Sequence, residues 1–324
     1  MKKNVLFFAI AMLAMGTAAQ AQTDEKKKVE FKPIATTMMS VYGEFPEGGT
    51  KYGFNLDRTY VGVEGKLGDE WSFKSVVDCG RSSKVDDYER LMYIKNAYFQ
   101  WKRGGIAVRG GLISTNIFNA QEKFWGRRYV MKSFQDEYKF GSSADLGVAV
   151  DWSPSSVVSL DAIIVNGEGY KKIQQEKGLL YGIGMTLKPI DGLMVRLYAD
   201  INQRPDGGKP QKNCNIMVGY KTTSWSLAAE GNWLFTRDDS NAKHQSGTSV
   251  YGSAKAGKCD IFARYDFLTS RADWNKAKDG HMALLGVEFA PCRYLKIAPN
   301  ARLWKSAAGG RATFYANVNL QFAL

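Results

Sequence analysis

The connections between the apolar segments of the chain alternate strictly between short and long, and this alternation constrains the fold more than any other feature. Tight turns fall at 68–70, 103–104, 153–156, 189–191, 223–224, 257–258 and 291–292. Longer polar links fall between them, at 44–53, 80–90, 113–141, 167–178, 203–212, 237–246, 270–279 and 305–311. Short turns at one end and long loops at the other are typical of an up-and-down β-barrel in an outer membrane. A soluble sandwich has no reason to separate its loop lengths in this way.

The segments between these connections alternate apolar and polar residues with the period of a β-strand. The last segment, for example, has one apolar face: Phe314, Ala316, Val318, Leu320, Phe322 and Leu324. Because both termini fall on the short-turn side, the number of strands is even. The sequence predicts an all-β, transmembrane antiparallel barrel of sixteen strands, at about 34–43, 54–67, 71–79, 91–102, 105–112, 142–152, 157–166, 179–188, 192–202, 213–222, 224–236, 247–256, 259–269, 280–290, 293–304 and 312–324. Losing one hairpin would give fourteen strands, and an extra pairing within 114–141 would give eighteen.

The composition agrees with a barrel and argues against a helical membrane protein. After the N-terminal region no stretch offers the roughly 20 consecutive apolar residues that a transmembrane helix needs. Aromatic residues make up 13% of the chain. Tryptophans lie within a few positions of predicted strand ends, where aromatic girdles meet the membrane interface: Trp71, Trp101, Trp152, Trp225, Trp233 and Trp304.

The N-terminus has the pattern of a secretory signal peptide. Lys2 and Lys3 precede a short apolar core at 5–15, and Ala19 to Ala21 form a small-x-small cleavage site. We expect residues 1–21 to be removed and the protein to be exported to the outer membrane. Residues 22–33 are charged and aperiodic, which predicts a flexible periplasmic leader, and 34–324 form a single barrel domain.

The four cysteines are predicted to be free thiols. Cys79 and Cys214 fall near the long-loop ends of their strands, whereas Cys259 and Cys292 fall at the turn side. A disulfide spans only about 4 to 7 Å between Cα atoms and cannot join the two ends of a barrel. The cysteine spacings match no zinc pattern and only 2 histidines are present, so we predict no metal and no cofactor.

The long link at 113–141 is the most unusual connection of the chain. Its charge is concentrated in Lys123, Arg127, Arg128, Lys132 and Lys139 against Glu122, Asp136 and Glu137. A loop of this length in a compact domain is usually functional. We therefore predict that it folds into the barrel lumen and narrows the pore as a constriction loop.

Two motifs carry a resemblance to a known family. The stretch at 122–150 reads EKFWGRRYVMKSFQDEYKFGSSADLGVAV, and the stretch at 54–60 reads FNLDRTY. The chain resembles the outer-membrane porin superfamily in layout, and in these motifs it resembles the phosphate-selective porin (porin O and P) group. The resemblance implies a constriction in the third long loop and a homotrimer. The chain departs from the usual aromatic last residue, since it ends on Leu324 with Phe322 on the same face.

The charges of the link suggest how a pore could select its solutes. A ring of cations at a narrow point favours anions, and the forked guanidinium group suits phosphate and carboxylate. We predict a constriction formed by Lys123, Arg127, Arg128 and Lys132, faced by Glu122, Asp136 and Glu137 or tied by them to the wall. The alternative interpretation is that these residues pair with one another and hold the shape of the loop.

Wall residues add charges of both signs. Alternation turns several cations into the lumen: Arg58, Lys74, Arg109, Arg196, Arg264, Lys296 and Arg302. It turns nearly as many acids there: Glu64, Asp78, Asp145, Asp200, Asp266 and Glu288. Selectivity would then depend on the loop. The formal net charge is +12, or +10 once Lys2 and Lys3 are removed with the signal peptide, and it can equally reside on outer loops that face anionic lipopolysaccharide and lipid.

These features predict a porin for passive diffusion of small hydrophilic solutes and ions, with anion preference as a hypothesis. One alternative is a plugged barrel that serves as a structural or surface-interaction protein without conductance. A barrel enzyme is disfavoured, since a catalytic triad needs groups in mutual reach and His244 and His281 are the only histidines, with Ser246 and Ser249 close to the first. Nucleic-acid binding is disfavoured because the basic residues alternate with apolar ones.

Overall fold

The computed structural model describes residues 29–81, 90–173, 178–203, 208–237 and 240–324. Sixteen antiparallel strands form one closed barrel, in which each strand pairs with its neighbours in sequence and β1 also pairs with β16. The predicted fold class and strand number are confirmed. The strands are β1 (Val29–Phe45), β2 (Lys51–Leu67), β3 (Trp71–Arg81), β4 (Arg90–Arg103), β5 (Ile106–Ser114), β6 (Ala144–Trp152), β7 (Val158–Val165), β8 (Leu180–Leu187), β9 (Leu193–Asn202), β10 (Gln211–Lys221), β11 (Trp225–Phe235), β12 (Gln245–Ala256), β13 (Cys259–Ser270), β14 (Gly280–Cys292), β15 (Leu295–Ser306) and β16 (Thr313–Ala323).

The predicted leader is wrong at its C-terminal end. Residues 29–33 belong to β1, where Val29 pairs with Leu67 at the far end of β2. Phe31 packs edge-on against Phe73 of β3, with ring centroids 6.0 Å apart. Pairing with β2 and the contact between Phe31 and Phe73 thus extend β1 over residues 29–33. The prediction left these charged residues out of the strand because they show no apolar periodicity. The predicted signal peptide and residues 22–28 lie outside the described residues.

Alternation along the strands separates an apolar outer face from a polar lumen. The outer face exposes large apolar side chains, among them Phe54, Val61, Ile94, Ile183, Leu227 and Leu285. Trp152, Trp225 and Trp233 are also exposed near strand ends. The predicted position of Trp304 at the membrane interface is wrong, because this side chain faces the lumen and packs against the interior core. None of the helices in the described part of the chain is long and apolar enough to span a membrane.

All four cysteines are free thiols, as predicted. Cys259 opens β13 and Cys292 closes β14, both beside short turns, whereas Cys79 and Cys214 lie toward the ends of their strands that adjoin long links. The length of the barrel therefore separates the two pairs.

Residues 115–143, which we call the inner segment, connect β5 to β6 and contain two short helices, α1 (Asn119–Trp125) and α2 (Phe134–Glu137). Gly126 ends α1 in the left-handed conformation, at a φ of 67°, and its N–H donates to the Glu122 carbonyl over 2.9 Å. Glycine adopts this conformation at little steric cost. The chain turns here and carries the next residues across the barrel.

The inner segment is attached to strands on opposite sides of the barrel, which places it within the lumen. Trp125, Tyr129, Val130 and Met131 form a hydrophobic core with wall residues of β1 and β10 to β15. Burying a large apolar side chain contributes about 2 to 3 kcal/mol. Polar contacts add to this core, and they join the segment to Arg196, Asn215, Arg264, Glu288, Arg302 and Asn319.

Candidate functional site in the barrel lumen

Arg128 ties the two helices of the inner segment together. Its Nη1 lies 2.9 Å from Glu122 Oε2 on α1 and also donates to the carboxylate of Asp136 on α2. Burial alone would raise the pKa of Asp136, but the charges of Arg128 and Lys132 outweigh it and hold that pKa below its ordinary value. Glu122 and Asp136 therefore brace the segment internally, and do not tie it to the wall.

Arg127, the next residue, is attached to the wall. It is 9% exposed, lies 5.0 Å above the Phe262 ring, and has Glu288 Oε2 at 3.6 Å and Asp260 Oδ2 at 3.8 Å. The Tyr129 hydroxyl donates to the same Glu288 carboxylate over 2.6 Å. Burial and this hydrogen bond raise the pKa of Tyr129. Both arginines are thus paired with acids, which agrees with the interpretation that they hold the shape of the segment.

The other charged residues predicted in this segment are placed differently. Lys132 and Glu137 both line a cavity of about 400 Å³ between the inner segment and the wall. We call it the middle cavity, and its remaining charged lining residues are Glu44, Asp57, Arg58, Arg128 and Arg302. Lys123 is exposed and does not line any of the three cavities described below. Of the four predicted cations, the structure brings only Arg128 and Lys132 to this cavity.

Four of the five predicted wall arginines are paired with a carboxylate. The pairs are Arg58 with Asp78 at 2.6 Å, Arg109 with Asp151 at 2.7 Å, Arg196 with Asp161, and Arg264 with Asp266 at 2.7 Å. Arg302 instead donates to Asn300 Oδ1 over 3.1 Å and to the Val130 carbonyl. Arg302 is therefore the one of these five arginines that forms no ion pair with a carboxylate of the described residues.

Two further cavities lie on either side of the inner segment. The outer cavity, of about 600 Å³, is at the long-link end of the barrel. It shares four lining residues with the middle cavity, and we call these the neck: Met131, Glu137, Arg302 and Tyr315. The turn-side cavity, of about 410 Å³, is lined by Trp125 to Arg127 and by wall residues near the short turns. The inner segment thus separates the turn-side cavity from the middle one.

A second link also reaches into the lumen, and the sequence analysis did not find it. Tyr170, after β7, donates its hydroxyl proton to Asp78 Oδ2 over 2.5 Å. Asp145 holds this link by accepting from the N–H groups of Gly167 and Gly169 at 2.8 and 3.1 Å. Both glycines have positive φ, 93° and 82°. The Gly-x-Gly spacing was the available signal for a tight inward turn.

Lys171 and Lys95 are lumen cations that the sequence analysis also missed. Lys171 lies 4.8 Å above the Tyr93 ring, and burial together with the charge of Arg58 lowers its pKa. Lys95 donates to the Tyr60 hydroxyl over 3.1 Å. It occupies a β-bulge, since Val76 and Val77 of β3 pair with Asn96 and Ile94 and pass over it. A bulge breaks strict alternation, which is why the pattern did not assign Lys95 to the lumen.

The residues considered for an enzyme make other contacts. The His244 ring lies edge-on to Phe235, with ring centroids 5.7 Å apart. Ser249 donates to Asp266 over 2.6 Å in the lumen. His281 is exposed on the outer face, where Nδ1 lies 2.6 Å from the Tyr265 hydroxyl and the ring stacks on Phe267 at 4.8 Å. Within the described residues, no group of three or more His, Cys, Asp or Glu side chains is arranged to hold a metal.

Solved structures of outer-membrane porins and channels share the fold of this closed antiparallel barrel. OprB of Pseudomonas putida at high pH superimposes with a TM-score of 0.70 at 12% identity, over 91% of this chain and 94% of that one. An anion-selective porin from Comamonas acidovorans gives 0.69 at 12% identity, over 92% and 100%. The outer-membrane channel DcaP of Acinetobacter baumannii gives 0.68 at 10% identity, over 94% and 100%.

In sequence, no protein-family model and no curated protein matches the chain. The chain therefore has the fold of outer-membrane porins, while its resemblance to the phosphate-selective group stays a prediction.

Proposed function

We propose that this protein is an outer-membrane porin through which small hydrophilic solutes and ions diffuse passively. The observation that carries the proposal is a pair of cavities that meet at the neck inside a closed barrel. Polar and charged side chains line both cavities, as a path for hydrated solutes requires. Solutes would enter from the long-link end and pass the inner segment toward the short turns.

An anion preference is part of the proposal, and it rests on few residues. Arg58 and Arg128 are paired with acids, so the middle cavity presents mainly Lys132 and Arg302. Neither of these two is in an ion pair with a carboxylate of the described chain. Glu44, Asp57 and Glu137 line the same cavity and oppose them. The outer cavity adds Lys139, Arg237 and Lys278 and no further acid. Cations therefore outnumber acids along the whole path, and we expect a moderate anion bias set by these residues together with Lys132 and Arg302.

The setting of the pore follows from the same proposal. We infer an exported chain whose signal peptide is removed, an apolar outer face in contact with outer-membrane lipid, and basic outer loops near lipopolysaccharide. A homotrimer, and a specific relation to phosphate-selective porins, rest on the sequence resemblance alone.

The plugged barrel remains the second candidate, because one observation favours it. The inner segment forms a hydrophobic core across the lumen, in which Trp125 lies edge-on to Tyr251 and Phe262 at 5.5 and 6.1 Å. Such a core could close the barrel and leave the outer loops as the active surface. A barrel enzyme has no comparable support, given where Ser249 and His281 lie.

Single-channel current in a planar bilayer under a salt gradient tests the proposal. The wild type should conduct steadily with a reversal potential biased toward anions. Lys132→Glu should shift that potential toward cations, because Lys132 lines the middle cavity. Lys123→Glu is the matched control: it makes the same charge change in the same segment, outside the three cavities, and should shift the potential much less.

Each other outcome identifies a different failure. Absence of conductance would favour the plugged barrel. Equal shifts of the reversal potential in the two variants would support an open pore, but would show that the middle cavity does not determine its ion selectivity.

A further inference from the structure

The outer cavity has an apolar and aromatic wall that a path for small inorganic ions does not need. Trp304 faces it in place of the predicted membrane interface, together with Tyr138, Trp274 and Tyr315. Leu268, Met282 and Met131 add aliphatic surface to the same wall. Flat aromatic side chains beside aliphatic ones form a surface for a planar apolar group.

The same cavity is rich in positive charge. Its described lining contains Lys139, Arg237, Lys278 and Arg302 against the single acid Glu137. Burial and the charges of Lys278, Arg237 and Lys132 lower the pKa of Lys139. Lys139 also has a φ of 60°, which is uncommon for a residue other than glycine. Crowding of like charges and a strained backbone both oppose folding, and such features cluster at binding sites.

The aromatic and cationic parts of the wall are built together. Two cations lie close to the Trp274 ring, Arg237 at 5.5 Å and Lys243 at 5.8 Å from its centroid. The indole N–H of Trp274 donates to the His244 carbonyl over 3.0 Å. Arg237 donates to Gln245 Oε1 over 2.8 Å, and Gln245 donates to the Tyr138 carbonyl over 3.0 Å. These contacts attach the wall of the outer cavity to the inner segment at Tyr138, the residue that precedes Lys139.

We propose that the outer cavity is a binding site for organic anions that carry a planar apolar ring, such as aromatic carboxylates, which it concentrates before they enter the neck. The lysines and arginines would bind the carboxylate, and the wall of Trp304, Tyr315 and Leu268 would bind the ring. A small inorganic anion would leave the apolar wall unused, and a neutral ring would leave the cations unused. This inference rests on the proposed porin function and adds a substrate class to it.

Blocking of chloride current by benzoate tests the inference. Benzoate, acetate and benzyl alcohol are added in separate experiments to one side or the other of a bilayer that contains one conducting channel. Benzoate should block from one side, at a concentration about tenfold below that of acetate, because the ring gains contact with the aromatic wall; tenfold corresponds to about 1.4 kcal/mol. Benzyl alcohol, which has the ring and no charge, should block weakly. Equal blocking by benzoate and acetate would overturn the inference.

Matched variants locate the site. Lys139→Gln with Lys278→Gln should raise the half-blocking benzoate concentration about threefold to tenfold, and Trp304→Leu should raise it about threefold while acetate changes little. The control, Lys51→Gln with Lys172→Gln, removes two exposed lysines at the same end that do not line the cavity. It should leave the benzoate block unchanged, and an equal effect of the control would overturn the inference.

Conductance in chloride alone distinguishes a failure of the proposed binding site from a failure of the proposed porin function. A channel that conducts in every variant and shows no preference for benzoate contradicts only the binding site. A wild type that does not conduct contradicts the porin function itself.

Discussion

Arg127 and Arg128 are adjacent in sequence, yet they stabilise different parts of the molecule. Arg127 forms ion pairs with acids of the wall, whereas Arg128 joins the two helices of the inner segment. An arginine inside a barrel is costly without a partner, because its desolvation must be offset by paired charge. Their charge is therefore largely used within the fold. Lys132 lines the middle cavity without an ion pair to a carboxylate of the described residues, whereas Arg128 lines it while paired.

The pairing of Asp136 predicts an effect of acid on the inner segment. Its pKa in the folded protein lies below the ordinary value of about 3.9. Its carboxylate therefore stabilises the fold fully above about pH 4, and this contribution is lost as the pH falls through the lower, folded pKa. Closures in the single-channel current should be rare from pH 7 to about pH 4 and frequent below it.

Two variants check this assignment. The Asp136→Asn channel should close often already at pH 7, and its closures should depend less on pH than those of the wild type, because it lacks one of the two carboxylates that pair with Arg128. Asp191→Asn, at an exposed position in a short turn, should behave as the wild type does. An unchanged onset of closures in Asp136→Asn would contradict the assignment.

At the scale of elements, the fit of α2 against the wall fixes the position of the inner segment. Phe134 of α2 is fully buried in a cluster with Phe140, Leu234 and Leu268. It packs over Gly247 of β12, where a Cβ atom would lie 2.3 Å from Phe134 Cζ and 2.4 Å from the Phe267 carbonyl oxygen. A strand glycine here marks the close approach of another element.

Gly247→Ala should therefore displace α2. The added methyl group overlaps both a packed ring and backbone, and overpacking of this kind typically costs about 1 to 3 kcal/mol. We expect a lower thermal unfolding midpoint in detergent and an altered single-channel conductance.

Gly49→Ala is the matched control, since nothing lies within 4 Å of the added atom. It should change neither property. Wild-type behaviour of Gly247→Ala would show that α2 is not held against β12.

The link after β7, which also reaches into the lumen, could not be predicted from the alternation of apolar and polar residues along strands. Its position depends on the Asp145 carboxylate, which binds two backbone N–H groups, and on Tyr170, which bonds to a strand far from it in sequence. Periodicity describes which face of a strand a residue occupies, but it contains no information on where a polar link bonds. For the same reason Lys95, at a bulge, was not assigned to the lumen.

For the whole molecule, the barrel was predictable from sequence and the arrangement of its lumen was not. Strand number and closure follow from period-two alternation and from the regular order of short and long connections. Fifteen strands were placed to within three residues at both ends, whereas β1 begins five residues earlier than predicted. The charge of the inner segment was also visible. Which cations pair, and which line a cavity, depends on contacts between the segment and distant strands, such as Tyr129 with Glu288.

Single-channel conductance of variants at the neck tests the central claim, that the barrel is an open pore narrowed by its inner segment. Tyr315 lines both cavities where they meet. The account predicts a steadily conducting wild type, a higher conductance for Tyr315→Ala and a lower one for Tyr315→Trp. Tyr42→Ala, which changes a residue of the middle cavity outside the neck, should have a smaller effect. A wild type without conductance, or a conductance that is the same for all three residues at position 315, would contradict it.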